Sequence, residues 1–361
     1  MTNRDRVNAT LNFEKCDERG SVLETFFPWT KTIDRWKTEG LPSEFTPSNV
    51  GFGRDGDVAE KYLDCGMTDD VKNFESFFGF DPLLRVCMNP PFFNLSSVDA
   101  PAVQTPDDWA KIKEQSIAIV EKHYTEENIE RIYGKYTEAI ASGDVSCRLA
   151  VWGFFWSGFM LIGMENHLFS FYDMPEVLHD MAKFLVELYT TKLDKVLQVI
   201  SADTVYIMED LSGKNGPMLS PEHFDEFVGN YYRQLVPMLR KRGVKHILVD
   251  TDGDFKTLIP NFIDAGIEGF LPMDVNAGMD IVEVRKEFPN LKFIGAFNKL
   301  EITKGKEAID REFERLMPVI RQGGFIPGSD HQVAPSTSMS DYQYYVKRLE
   351  LAMKECGIDI R

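Results

Sequence analysis

Apolar and polar residues follow two rhythms along this chain, and the change of rhythm marks the elements. Short runs rich in β-branched and aromatic residues occur at 148–152, 204–208, 246–249, 269–273, 292–296 and 324–327, with an earlier one at 84–88. A strand buried on both faces reads as such a run. Between the runs the period lengthens to that of helices. Pro175-Glu176 opens an amphipathic stretch to about Val199, with Asp173 as its cap. Ser220 precedes Pro221 as cap and first helical residue, and Phe224, Phe227, Val228 and Tyr231 follow at helical spacing. Residues 256–265 and 308–321 continue the alternation. Strands alternating with helices predict a parallel sheet with right-handed crossovers.

Such a sheet is either open or closed. An open dinucleotide-binding sheet carries a glycine-rich turn after its first strand, and neither GxGxxG nor GxxxxGK[ST] occurs here. Gly213-Lys214-Asn215-Gly216 reads as a turn before the Ser220 cap. The 361 residues suffice for one closed barrel. The expectation is therefore α/β class: a (β/α)8 TIM barrel with an N-terminal extension, residues 1–361 forming a single domain.

Nearly every expected strand runs into a polar group. The ends read Glu209-Asp210, Asp250-Thr251-Asp252-Gly253, Asp274 and Asn276, Asn298, and Ser329-Asp330-His331. In a barrel these ends meet at one rim, where active sites of this fold sit. Asp and Asn also favour turns, but acids on four of five such ends, with an imidazole on one, point to a site. Asp250, Asp252 and His331 form the sharpest subset, a two-carboxylate, one-imidazole set suited to zinc or another divalent ion. Trp152, Phe154, Phe155 and Trp156 line either a flat apolar pocket or the core. Glu165, after Gly163-Met164, is either a pocket acid or a helix-start residue.

The net charge of −17 disfavours nucleic acid and anionic membrane surfaces as partners. Five cysteines, at 16, 65, 87, 147 and 356, form no CxxC and suggest reduced thiols in the cytoplasm. The longest uncharged apolar run, 150–164, is shorter than the roughly 18 residues of a membrane span. The first residues, MTNRDRVNATLNFEK, lack the apolar core of a signal peptide.

Several segments resemble the uroporphyrinogen-decarboxylase-like superfamily: NRDRVNATLNFEKCDE at 3–18, DRWKTEGLP at 34–42, GMENHLFSFYDMPE at 163–176, EDLSGKNGPMLSPEHFDEF at 209–227 and GGFIPGSDHQVAPSTSMSDYQYYV at 323–346. The resemblance implies a (β/α)8 barrel from one of two branches. The decarboxylase branch carries an Arg-Gln-Ala-Gly-Arg motif near its start, where this chain reads Phe27-Pro28-Trp29-Thr30-Lys31. A strongly acidic protein also suits a polyanionic substrate poorly. The other branch moves methyl groups to or from a corrinoid on a separate protein, using zinc held by a His-x-Cys pair and a final Cys. Those positions match Asp250, Asp252 and His331, with Asp330 as the neighbour of the last. None is a cysteine here, so thiolate ligands are missing and harder ligands take their place.

By this resemblance the chain is expected to be a metal-dependent methyltransferase, closest in character to the corrinoid-dependent branch. It would take a methyl group from a small methyl donor, an aryl methyl ether for example, and pass it to a corrinoid supplied in trans by a partner protein, since the chain has no DxHxxG motif. Asp250, Asp252 and His331 would hold the metal. Trp152, Phe154, Phe155, Trp156 and Asn298 would take the substrate, and Glu209, Asp274 or Glu165 would supply a proton. A homodimer is the expected assembly. The alternatives are a cofactor-independent decarboxylase or lyase acting on another acid, and a non-enzymatic barrel that binds a corrinoid protein.

Overall fold

The computed structural model describes residues 1–51, 62–65, 68–95 and 100–360. Seven strands pair in parallel in chain order: β1 (Leu83–Met88), β2 (Ser146–Trp152), β3 (Thr204–Met208), β4 (His246–Thr251), β5 (Gly269–Pro272), β6 (Lys292–Phe297) and β7 (Phe325–Ser329). All seven expected runs are strands. Among the described residues the eighth member of the sheet is the short strand Leu63–Cys65, antiparallel on β1, rather than a parallel strand. The sheet is curled as in a TIM barrel.

The gap between its edges is filled by the N-terminal segment. Residues 20–25 are all buried. Asp81 N donates to Val22 O beside β1, and Arg85 Nη2 on β1 donates to Glu24 O. On the other side, Ser329 N of β7 donates to Glu24 Oε1 at 3.1 Å. Backbone groups at the sheet edges thus find partners without a regular strand.

Alternation divides each strand between two cores. Leu83, Leu248, Leu271, Ile294 and Ile326 point inward and form one cluster with Leu23, Val7 and Leu11. Their neighbours, among them Leu84, Ile247, Phe270, Phe293 and Phe325, pack outward in the larger core that also takes the helices.

Val7 and Leu11 come from helix α1 (Asn3–Leu11), which carries a capping box between Thr2 and Asp5. Its buried face stops the N-terminal end of the barrel. Polar groups around the plug are paired. Arg4 Nε meets Asp203 Oδ1 at 2.7 Å, and Asn8 Nδ2 donates to the same oxygen at 3.1 Å. Lys292 Nζ donates to His246 Nδ1 at 2.9 Å, leaving Nε2 of that ring to donate to Asn8 Oδ1 at 3.2 Å. Burial, then Lys292, pulls His246 down to about 3, so the ring is neutral.

The stretch expected as one helix to Val199 is continuous: Pro175–Leu188, a π-helical turn Tyr189–Leu193, then Asp194–Val199. Its cap position is Met174, with no side-chain bond, because Asp173 ends the preceding helix. Among the described residues no helix is long and apolar enough to cross a membrane.

Leu11 is fully buried in the plug. Leu11→Ala is therefore expected to lower unfolding free energy by about 2–5 kcal/mol. An unchanged denaturant midpoint would remove the plug from the packing of the barrel.

Candidate metal and active site

The C-terminal strand ends converge as expected, with His331 at the centre. Its Nε2 lies 3.0 Å from Asp252 Oδ1, and its ring stacks on Phe26, 5.8 Å between centroids and 11° between planes. Its Nδ1 is buried without a hydrogen-bond partner. Asp330 Oδ1 accepts from Lys299 N at 3.0 Å, and its Oδ2 lies 3.5 Å from Asn276 Nδ2. Asp274 caps the turn after β5, its Oδ1 accepting from Asn276 N and Ala277 N. One ligand atom each from Asp274, Asp330 and His331 lie within 4.8 Å of one another, a set that could hold a metal ion. Met273 and Ala296, both non-glycine, take φ of 61° just before the Asp274 and Asn298 turns. Strained backbone of this kind gathers at functional sites.

A second group of acids lies beside the first. Strand β4 extends to Thr251, so Asp250 is its last inward residue, opposite Met208 of β3. Asp210 Oδ1 accepts from Asp252 N at 3.0 Å. Burial, then the Asp252 charge, pushes Asp210 up to about 6. Burial followed by Asp210 and Asp252 raises Asp250 well above the carboxylate range, against the opposing pull of Arg148. Burial also lifts Asp330 to about 6. His331 is raised as well: burial lowers it, but the Asp252 hydrogen bond and charge outweigh this and lift it above its ordinary value.

Of the expected Asp250, Asp252 and His331, only His331 stands in the group whose ligand atoms lie within 4.8 Å of one another. Asp252 touches His331, Asp250 lies deeper among Asp210 and Arg148, and the atoms that close on one point belong to Asp274, Asp330 and His331. Asp274, expected as a proton donor, stands among these ligand candidates. Asn298 caps the next short helix and accepts from Leu300 N and Asn276 Nδ2, at the edge of the same group.

Glu209 does not face this group. It is fully buried, and its Oε1 accepts from Phe155 N at 2.6 Å, at the start of helix α2 (Phe154–Ile162). A carboxyl at a helix start is a cap. A Cβ at position 153 would fall onto Glu209 Oε2, so Gly153 is the residue that admits it. Glu165 is exposed in the first turn of helix α3 (Met164–Asp173), a helix-start residue.

The aromatic group also divides. Phe154 packs on Tyr231 and Tyr232, and Phe155 on Phe159, His167 and Phe171; both are core, because α2 turns them behind the sheet. Trp152 and Trp156 remain half-buried, 6.2 Å apart. Sequence reasoning missed Phe26, which no motif marks, and the contribution of Asp210, visible only as one more acid after β3.

Glu209 is pushed up to about 8 by burial from an ordinary 4.5. Between those values the unfolded chain loses a proton that the folded protein keeps, so this group's contribution to stability falls as pH rises from about 4.5 to about 8. Glu209→Gln keeps an oxygen for Phe155 N and removes the titration. It is expected to raise the melting temperature more at pH 8 than at pH 5. Equal shifts at both pH values would show that Glu209 is already ionised in the fold.

No curated protein matches the chain. Among solved structures, a methyltransferase from Methanosarcina mazei superposes with a TM-score of 0.59 at 13% identity, covering 97% of this chain and 99% of that one. A protein from Listeria monocytogenes, described as a vitamin-B12 independent methionine synthase, gives 0.42 at 12% identity over 93% of this chain and 96% of its own. At these identities the first likeness is one of fold. The profile of the family named uroporphyrinogen decarboxylase (URO-D) matches residues 94–350, which spans β2 to β7 and every strand end described above. The chain belongs to the uroporphyrinogen decarboxylase family.

Proposed function

We propose that this protein is a metal-dependent methyltransferase that takes a methyl group from a small methoxylated substrate and passes it to a corrinoid carried on a separate protein. The observation that carries the reading is the approach of Asp274, Asp330 and His331 to within 4.8 Å of one another at the barrel rim. The donor set fits a hard or borderline divalent ion, with zinc as the first candidate. The unpartnered Nδ1 of His331 supports the fit. So does the Asp252 carboxylate on Nε2, since metal-binding imidazoles give their other nitrogen to such a partner. A divalent ion bound there supplies Lewis acidity toward an ether oxygen.

The remaining roles fall to side chains. Asp252 orients the imidazole. Trp152 and Trp156 offer flat apolar walls to an aromatic ring. We assign the proton for the departing oxygen to Asp250, whose pKa burial and two neighbouring carboxylates raise. That replaces Glu209 and Glu165, whose positions face the core and the solvent. The corrinoid belongs to a partner, because the chain carries no DxHxxG motif.

Protein purified without chelator is expected to carry a divalent ion that Asp330→Ala and His331→Ala lose. Asp252→Asn is expected to weaken metal affinity about 10–100-fold. Demethylation of a methoxylated aromatic should require both the metal and an added corrinoid protein. Turnover that survives chelation without corrinoid would overturn the reading in favour of a cofactor-independent lyase.

Trp152→Ala is expected to raise KM for the aromatic substrate while leaving metal content intact. Steady-state kinetics beside metal analysis separates the two, and an unchanged KM would remove Trp152 from the substrate wall.

A further inference from the structure

The N-terminal segment does more than close the ring. Glu24 is 5% exposed. Oε1 accepts from Thr25 N at 2.9 Å and from Ser329 N at 3.1 Å, and Oε2 accepts from Tyr345 Oη at 3.1 Å. A Cβ at position 328 would sit 3.0 Å from Oε1, so Gly328 gives the carboxyl room beside the strand. Ser329 carries the connection onward, its Oγ donating to His331 O at 2.6 Å. Two residues beyond Glu24, the Phe26 ring stacks on the His331 imidazole. The backbone and the ring of His331 are therefore both held by one stretch of chain some 300 residues away.

We propose that Glu24 and Phe26 are positioning residues for His331: Glu24 sets the backbone through Ser329, and Phe26 sets the plane of the imidazole. The inference rests on the metal-site reading above. It predicts that the aim of the imidazole toward Asp274 and Asp330 depends on a segment with no metal-binding or acid–base role of its own. Loss of an outer-shell partner that orients a metal ligand commonly changes metal affinity about 10–100-fold.

The test uses the full chain with cobalt(II) as probe, followed by visible absorption, and the imidazole nitrogen-15 shifts of His331 in metal-free protein. Phe26→Leu, which keeps bulk but loses the flat ring, and Glu24→Ala are expected to weaken cobalt binding about 10-fold or more and to move the His331 shifts. Phe26→Tyr and Glu24→Gln, which keep the ring and an acceptor for Ser329 N, are expected to stay near wild type in both. Wild-type cobalt affinity and unmoved shifts in Phe26→Leu and Glu24→Ala would overturn the proposal. Should the wild type bind no cobalt, the metal reading fails by itself, and the shifts alone decide whether these residues position the imidazole. Should Glu24→Ala fail to fold, the Phe26 pair decides.

Discussion

Asp210, Asp250, Asp252, Asp274 and Asp330 are crowded around one imidazole, and carboxylates this close repel unless something offsets their charge. Three kinds of relief are open to them. The buried members Asp210, Asp250 and Asp330 hold their protons more tightly, since burial raises all three above the ordinary carboxylate value. Cationic character gathers on His331, whose raised value reflects Asp252. In the proposed reading a divalent ion would be the third, held by Asp274, Asp330 and His331. The local chemistry follows from how that charge is shared, and the rest of the fold holds the members in place against their repulsion.

Holding them is the task of the barrel's two cores. Inward side chains of the seven strands meet the α1 plug, and outward ones meet the helices, so each strand is fixed from both sides. The strand ends then have little freedom, and the turns at Asp274 and Asn298 are stabilised by their own side-chain caps. The N-terminal segment contributes at both ends of the barrel: α1 at the bottom, and residues 21–26 along the ring up to His331. Its place between the sheet edges explains why so much of it is buried without forming a regular strand.

Glu209 shows how the same chemistry serves two purposes. It is an acid after a strand like the others, and burial raises it in the same direction. Its inward neighbour Met208 faces the barrel, so Glu209 faces the helices and caps one of them. A change of one residue along a strand exchanges site for scaffold.

Periodicity alone determined the seven strands, their parallel order and the rim to which their polar ends belong, because buried strands must be apolar on both faces and each crossover must be a helix. Resemblance in the segments at 3–18, 163–176, 209–227 and 323–346 carried the family. The partners at the site were decided by tertiary structure. Asp250 and Asp252 are two apart in sequence, which suggests a shared ligand role, yet the length of β4 and the turns after β5 and β7 send Asp252 to the back of His331 and bring Asp274 and Asp330 forward. Phe154 and Phe155 look like Trp152 and Trp156 in the sequence, and only the path of α2 separates core from mouth. Phe26 and Glu24 meet His331 across some 300 residues, a contact that no local pattern encodes because it exists only once the ring is closed.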